Sequence, residues 1–286
     1  MRISKVYDGT DPGATPGRVF TSSISQEEII PEGKFLDSLS IGVKGAVATA
    51  AVAVETFAGI LSEYTLRIGP ETRILMNLRQ LCALMMFFYG QLPFLWENTD
   101  NTGNDFIGGV RVPIQAVVDP AKPITHAATW TTQTNISTET IALTAYWDDD
   151  ARGKKPIHAV AIGHTTAGSA GYETLGFRIA PVGTLIGLII QQVAVFTDAN
   201  IDISVQRVRI LANGQLHTSL NALSSAERWA GRSVGVLDPM DDLMNPFTIF
   251  DLRPSGIDAK GQELTIQLDV EDVSDAITII PILEVV

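Results

Sequence analysis

The sequence predicts an all-β chain of two tandem antiparallel barrels or sandwiches, each carrying one short inserted helix. Three observations predict it. Runs rich in β-branched and aromatic residues recur along the chain, turn-forming residues part them at short spacing, and one block of the pattern comes twice.

Taken in order, residues 1–33 read as an extended amino-terminal arm. No apolar run of the secretion-signal type opens the chain, and residues 8–18 are rich in Gly, Pro, Thr and Asp. Strand-like runs follow at residues 39–43, 64–68, 110–118 and 140–147, and in the second half at 157–162, 175–179, 201–210, 264–270 and 276–285. Between them stand Gly69-Pro70, Asp119-Pro120, the charged stretch 148–156, Asn213-Gly214, residues 254–256 and Lys260-Gly261, all turn formers. Residues 201–208 and 264–270 alternate apolar with polar, the pattern of antiparallel sheets packed on one face. Two segments carry a helical stripe. Residues 74–89 place Ile74, Leu75, Leu78, Leu81, Cys82, Met85 and Phe88 on one side, and residues 216–230 repeat Leu216, Leu220 and Leu223.

The two helical segments lie in matching blocks. At an offset of 142 residues Leu66, Arg67 and Ile68 match Val208, Arg209 and Ile210, while Ile74, Leu78 and Leu81 match Leu216, Leu220 and Leu223; four of the 16 pairs are identical. Around this block each half repeats the order of β-runs, tight turn, helix, acidic loop and closing β-runs, which predicts a tandem duplication. The charged turn at 148–156 divides it into units at 34–150 and 151–286. Residues 163–171 have no counterpart in the first half.

Composition narrows the function. Of 286 residues, 45% are hydrophobic and 18% charged, and 20 Lys and Arg against 32 Asp and Glu leave a net charge of −12. With a mean hydropathy of +0.19 this is a folding chain and not a disordered one. An acidic balance argues against direct nucleic-acid contact, which draws on Lys and Arg to neutralise phosphates. The single Cys82 forms no intrachain disulfide. Apolar stretches at 45–61, 75–95 and 179–196 are broken by Glu55, by Arg79 and Pro93, and by Pro181, Gln191 and Gln192. None offers the ~20 uninterrupted apolar residues of a spanning helix. So few charges predict surface reserved for neighbouring subunits.

The blocks at 64–89 and 206–231, the closing runs at 140–147 and 276–285 and the arm together resemble the double jelly-roll major capsid proteins of tailless icosahedral viruses that enclose a membrane, the lineage of tectiviruses, corticoviruses and adenovirus hexons. The resemblance spans residues 34–286. It implies two eight-stranded jelly rolls, a homotrimer with a pseudo-hexagonal outline, and a shell component located in the virion and assembled inside the host cell. The implied partners are the chain itself, other virion proteins such as a penton, and the internal membrane, reached through an arm bearing Arg2, Lys5 and Arg18.

Chemistry is expected to be absent: no catalytic residue, no cofactor and no metal. A cupin-type metal enzyme needs two His one residue apart on a strand plus a further His and Glu. His126, His158, His164 and His217 contain no such pair, and His158 and His164 would lie roughly 20 Å apart on a strand. Ser169, between Gly168 and Gly171, resembles a nucleophile elbow, but a strand-like run follows where a helix is required. No phosphate loop is present, since Gly69 and Gly231 lack the following Gly-Lys-Ser/Thr. Asp148, Asp149 and Asp150, and Asp238, Asp241 and Asp242, lack the alternating ligand spacing of a calcium loop and read as solvated turns. Asn135 opens a glycosylation sequon read as a turn. The alternative from another class, a carbohydrate- or receptor-binding sandwich, needs aromatics gathered on one face; Trp96, Trp130, Trp147 and Trp229 are scattered along the sequence.

Overall fold

Long strands form where apolar residues recur at every second position, because a sheet buried on one face exposes alternate side chains. A computed structural model describes residues 2–8, 24–47, 57, 59–91, 94–97, 105–131, 133, 136–150, 153–175, 179, 183–192, 196–197, 200–201, 204–221, 247–271 and 273–285. They fall into two units, Met1–His158 and Ala159–Val286. The division lies just past the charged stretch 148–156.

The first unit contains β1 (Arg2–Asp8), β2 (Ile24–Glu28), β3 (Phe35–Val47), β4 (Leu61–Ile68), β5 (Glu71–Met76), helix α1 (Leu78–Tyr89), β6 (Phe94–Glu97), β7 (Asp105–Val117), β8 (Ile124–Trp130) and β9 (Ile136–Asp148). One sheet has the order β1-β9-β3-β7-β6 and the other β5-β4-β8-β2. Leu39, Ile41 and Val43 on β3, Val110 and Val112 on β7, and Leu143, Ala145 and Trp147 on β9 are buried. So are Tyr64 and Leu66 on β4 and Ile124 and Ala128 on β8.

The second unit contains β10 (Ile157–Val160), β11 (Ile162–Thr165), β12 (Gly171–Thr174), β13 (Gly183–Gln191), β14 (Phe196–Thr197), β15 (Asn200–Ile201), β16 (Val205–Ala212), β17 (Gln215–Asn221), β18 (Phe247–Asp251), β19 (Ile257–Asp258), β20 (Leu264–Val270) and β21 (Ala276–Val285). The division between the units falls inside β10. Here β11, β21, β13 and β18 lie side by side, with β19 also on β13, and the facing sheet runs β12-β20-β16-β17. Leu188 and Ile190 on β13, Val208 and Ile210 on β16, Ile266 and Leu268 on β20 and Ile277 and Ile279 on β21 share one core.

The main strands of the two sheets repeat between the units. The closing strand, β9 or β21, lies between the first strand and the long β3 or β13. In the facing sheet β2-β8-β4-β5 answers β12-β20-β16-β17. The irregularities repeat as well. Asp37 is skipped in the β3–β9 register between Leu36 and Ser38, and Ile186 in the β13–β21 register between Leu185 and Gly187. Ser62 is skipped between Leu61 and Glu63, and Gln206 between Val205 and Arg207. In the two hairpins Arg73 and His217 are the extra residues. These matches fix the true offset of the hairpin at 144 residues, Leu61 to Val205 and Glu71 to Gln215, and not the 142 suggested by identities. At 144 none of the 16 pairs from residue 61 to 76 is identical. A slip of two residues keeps every side chain on its face, so the repeat of alternation was legible while its register was not.

Several expectations are corrected. The arm is not free at residues 2–8 and 24–28: β1 pairs with β9, and β2 with β8. The first barrel therefore begins before residue 34. This also supplies the missing counterpart of residues 163–171, because β11 stands to β21 as β1 stands to β9. Residues 74–76 belong to β5, paired with β4, and the helix starts after Asn77. There the Asn77 side chain accepts from the Gln80 N–H at 2.9 Å and the Gln80 side chain accepts from the Asn77 N–H at 3.0 Å, a reciprocal cap that sets the boundary. Gly90 ends the helix in the left-handed conformation, φ 63.

Residues 216–221, expected to open a helix, are strand β17. Leu216 and Leu220 are four apart, a spacing that fits a helical face and a strand face alike. Asn213 and Gly214, with φ 51 and 77, fold a two-residue turn that returns the chain along β16 and decides for the strand. Residues 222–230 of that expected helix lie outside the described residues. Of the run expected at 175–179, Leu175 lies just past β12, which ends at Thr174, and residues 176–178 lie outside the described residues. The apolar stretch 179–196 holds β13, a strand with a partner on each side. Among the described residues no helix is long and apolar enough to cross a membrane.

Trp147, fully buried on the closing strand of the first unit, is among its largest core side chains. Trp147→Ala is expected to lower the stability of that unit by about 3–5 kcal/mol, and Asn77→Ala by about 1 kcal/mol, both read from urea unfolding curves.

Candidate functional site

The first unit gathers its polar side chains where β3 is bulged. A residue inserted into one strand has its side chain re-aimed, and Asp37 is that residue. Its carboxylate accepts from Arg111 Nη2 at 3.2 Å and from Ser38 Oγ at 3.2 Å, and Lys154 Nζ also binds it. Arg111 Nε donates to Ser38 Oγ at 2.9 Å, and its guanidinium lies 4.7 Å from the Tyr146 ring and 5.4 Å from the Tyr89 ring. Helix α1 covers β7 beyond the reach of β6: the Arg111 N–H donates to Met85 Sδ at 3.3 Å. Burial pushes the Tyr89 phenol above its ordinary pKa, and Arg111 offsets part of that shift. Two cations, one carboxylate and two aromatic faces satisfy one another here. The arrangement ties β3, β7 and β9 to the 153–156 segment.

In the second unit His164 on β11 meets Glu173 on β12 at 2.9 Å, and the other Glu173 oxygen accepts from the Ala167 N–H at 2.8 Å. Arg209 on β16 lies 3.6 Å from the Tyr172 ring centroid. The buried Gln192 side chain accepts from the Val205 N–H at 2.8 Å and donates to Val205 O at 3.2 Å and Thr248 Oγ1 at 2.6 Å. Ser204 Oγ donates to Asp275 at 2.6 Å, while the Asp275 N–H donates to Thr166 Oγ1 at 2.8 Å. These contacts fasten loops to sheet ends, since buried polar groups need partners.

The residues weighed from sequence fall apart in space or into the core. His126 is 2% exposed and sits on the inner face of β8 between Ile124 and Ala128. Its alternation with those two residues was the signal that could have revealed this. His158 is half-buried on β10, His164 is held by Glu173, and His217 is exposed on the edge strand β17. No group of three or more His, Cys, Asp or Glu among the described residues is placed to hold a metal ion. Ser169 is exposed in the bend before β12, a strand, so the elbow lacks its helix. Asp148 caps β9, accepting from the Asp149 N–H at 2.8 Å, while Asp238, Asp241 and Asp242 lie outside the described residues. Trp147 is core, Trp130 is half-buried, Trp96 lies on β6, and Trp229 and Asn135 lie outside the described residues. Arg2 and Lys5 belong to β1, and Arg18 lies outside the described residues. The Asp37–Arg111 network was missed because a bulge leaves no mark in the residue pattern.

Two tandem units, each closing its first, long and penultimate strands in the same two sheets, define the double jelly-roll fold of viral major capsid proteins. The chain is similar to the major capsid protein of Sulfolobus Turreted Icosahedral Virus, with a TM-score of 0.66 at 10% identity over 93% of this chain and 96% of that one. A second structure, of that virus itself, gives 0.64 at 12% identity over 99% and 89%. The major capsid protein P2 from bacteriophage PM2 gives 0.57 at 10% identity over 91% of each chain. No family model matches the sequence, and no curated protein matches it. At such identities the likeness is one of fold.

Two solution measurements check the interior. Burial drives the Cys82 thiol far above its ordinary pKa, so Cys82 is expected to resist thiol reagents at pH 8 in the folded chain and react in full in denaturant, read by mass spectrometry. Burial, with Arg73, lowers the pKa of His158 below 6.5, against Glu71 and a bond to the Thr72 main chain. The unfolded chain then binds the proton more readily, so this contribution to stability holds above about pH 6.5 and is lost as pH falls toward the folded value. His158→Gln is expected to flatten the fall in unfolding midpoint between about pH 6.5 and 5, and an unchanged slope counts against it.

Proposed function

We propose that this chain is the major capsid protein of an icosahedral virus, a structural and non-enzymatic component of the virion shell. The observation that carries this reading is the duplication itself: two equivalent jelly rolls in one chain, down to the bulge positions, in the arrangement shared with solved capsid proteins over at least nine-tenths of this chain. The low charge fraction of 18% supports it, because shell subunits bury their flanks against neighbours. The hydrogen-bonded polar clusters and the lack of a metal-holding group among the described residues give no support to the cupin reading, and a lectin-like face is not favoured by the buried Trp147.

Three finer statements belong to the same proposal. The capsomer is a homotrimer, so that two jelly rolls per chain give six lobes and a pseudo-hexagonal outline. The shell meets other virion proteins at its vertices, such as a penton. The amino-terminal region, with Arg2, Lys5 and Arg18, faces an internal membrane whose anionic head groups attract basic residues.

The purified 286-residue chain is expected to sediment at about three times 30.8 kDa and to show six-lobed particles by negative-stain electron microscopy. A monomer at every concentration tested sinks the capsomer reading.

A further inference from the structure

The duplication also assigns a partner to a strand edge that has no further strand beside it among the described residues. In the first unit the outermost strand of the facing sheet, β5, is covered. Ile157 and His158, the start of β10, run beside it, and the His158 side chain is bonded to the Thr72 main chain. The strand that repeats β5 is β17. It ends its sheet, with no further strand beyond it among the described residues. Apart from the bulge at His217 it carries none of the usual protections of an edge: Gln215–Asn221 contains no Lys, no Pro and no charge, and five of its seven positions are exposed.

The internal repeat says what covers it. By ladder position Tyr7 repeats as Ile162, since each pairs with equivalent residues of the closing strands, Leu143 and Ile279. The irregularity at Val6 repeats at Ala161, between β10 and β11. Counting back without a gap, Arg2 to Lys5 repeat as Ile157 to Val160, so Ile3 holds the place of His158. In the hairpins Thr72 repeats as Leu216, each one residue before the extra Arg73 or His217. What His158 is to Thr72, Ile3 is to Leu216. These two residues are 62% and 59% exposed, among the largest exposures of bulky apolar side chains in the described residues. In β1 the edge away from β9 has no strand partner among the described residues.

We propose that β1 of one copy adds as a strand to the β17 edge of the next, with Ile3 beside Leu216. The inference rests on the self-assembly proposed above and names its contact. Because β1 and β17 are different surfaces, each copy gives one and receives one, a head-to-tail contact that closes into a ring when the rotation allows. Main-chain hydrogen bonds supply the pairing, and the two exposed side chains are buried by it.

Full-length chains carrying Ile3→Cys and Leu216→Cys, mixed and treated with a mild oxidant, test it, with the buried Cys82 silent. A disulfide-linked pair is expected from the mixture and not from either chain alone. Ile3→Lys and Leu216→Lys, both at exposed positions, are each expected to weaken self-association at least tenfold by sedimentation, and mixing Ile3→Lys with Leu216→Glu chains is expected to restore part of it. Assembly that persists in both lysine variants, or an oligomer of normal mass that yields no cross-link, overturns the edge pairing and leaves the capsomer reading standing. A wild-type chain that never assembles overturns both.

Discussion

The structure depends on one ladder made twice: the closing strand of each unit inserted between that unit's first strand and its long strand. In the first unit β9 pairs β3 along its length, Leu36 with Trp147 and Val43 with Ile141, bringing together residues about a hundred apart in the sequence. In the second, β21 does the same to β13, Leu185 with Leu283 and Ile190 with Ile279. Neither sheet has a centre until the end of its unit has been made. Such non-local pairing carries a loop-closure cost that only the core behind it offsets; β13 and β21 meet it with near-continuous apolar runs, β3 and β9 with alternating ones.

Irregularity in that ladder is as informative as regularity. The bulges at Asp37 and Ile186 occupy the same step of the same strand, and those at Ser62 and Gln206 do so in the facing sheet. A bulge turns the strand and bends the sheet, so two sandwiches of the same curvature need them in the same places. What the bulge presents is free to differ. In the first unit it presents a carboxylate held by Arg111 and Lys154, and in the second an isoleucine that is buried. The backbone device has been kept while the side chain has not, and this accounts for a repeat with no identical pair between residues 61–76 and 205–220.

The two units differ in how their edges are treated. The first has a capped helix over β7 and has Ile157 and His158 beside β5; among the described residues the second has an uncharged strand at the end of its sheet. An open edge is a hazard in a monomer and an instrument in an assembly. The low charge fraction of the chain has the same physical reading, because surface that meets neighbours gains little from charges it must desolvate.

The sequence by itself determined the class, the number of units and the faces of the strands. Strict alternation in residues 264–270 and the turn formers at Asn213-Gly214 and Lys260-Gly261 are local signals, and β20 and β21 were legible to the residue. Local signals also mark their own limits. Leu216 and Leu220 fit a helix or a strand until a partner strand is present. Residues 2–8 look like a free arm until β9 arrives to pair with them, and His126 looks polar until β8 turns it inward. Register, bulge position and the place of β1 were decided only in the tertiary structure, because a slip of two residues leaves the sequence pattern unchanged and alters every partner.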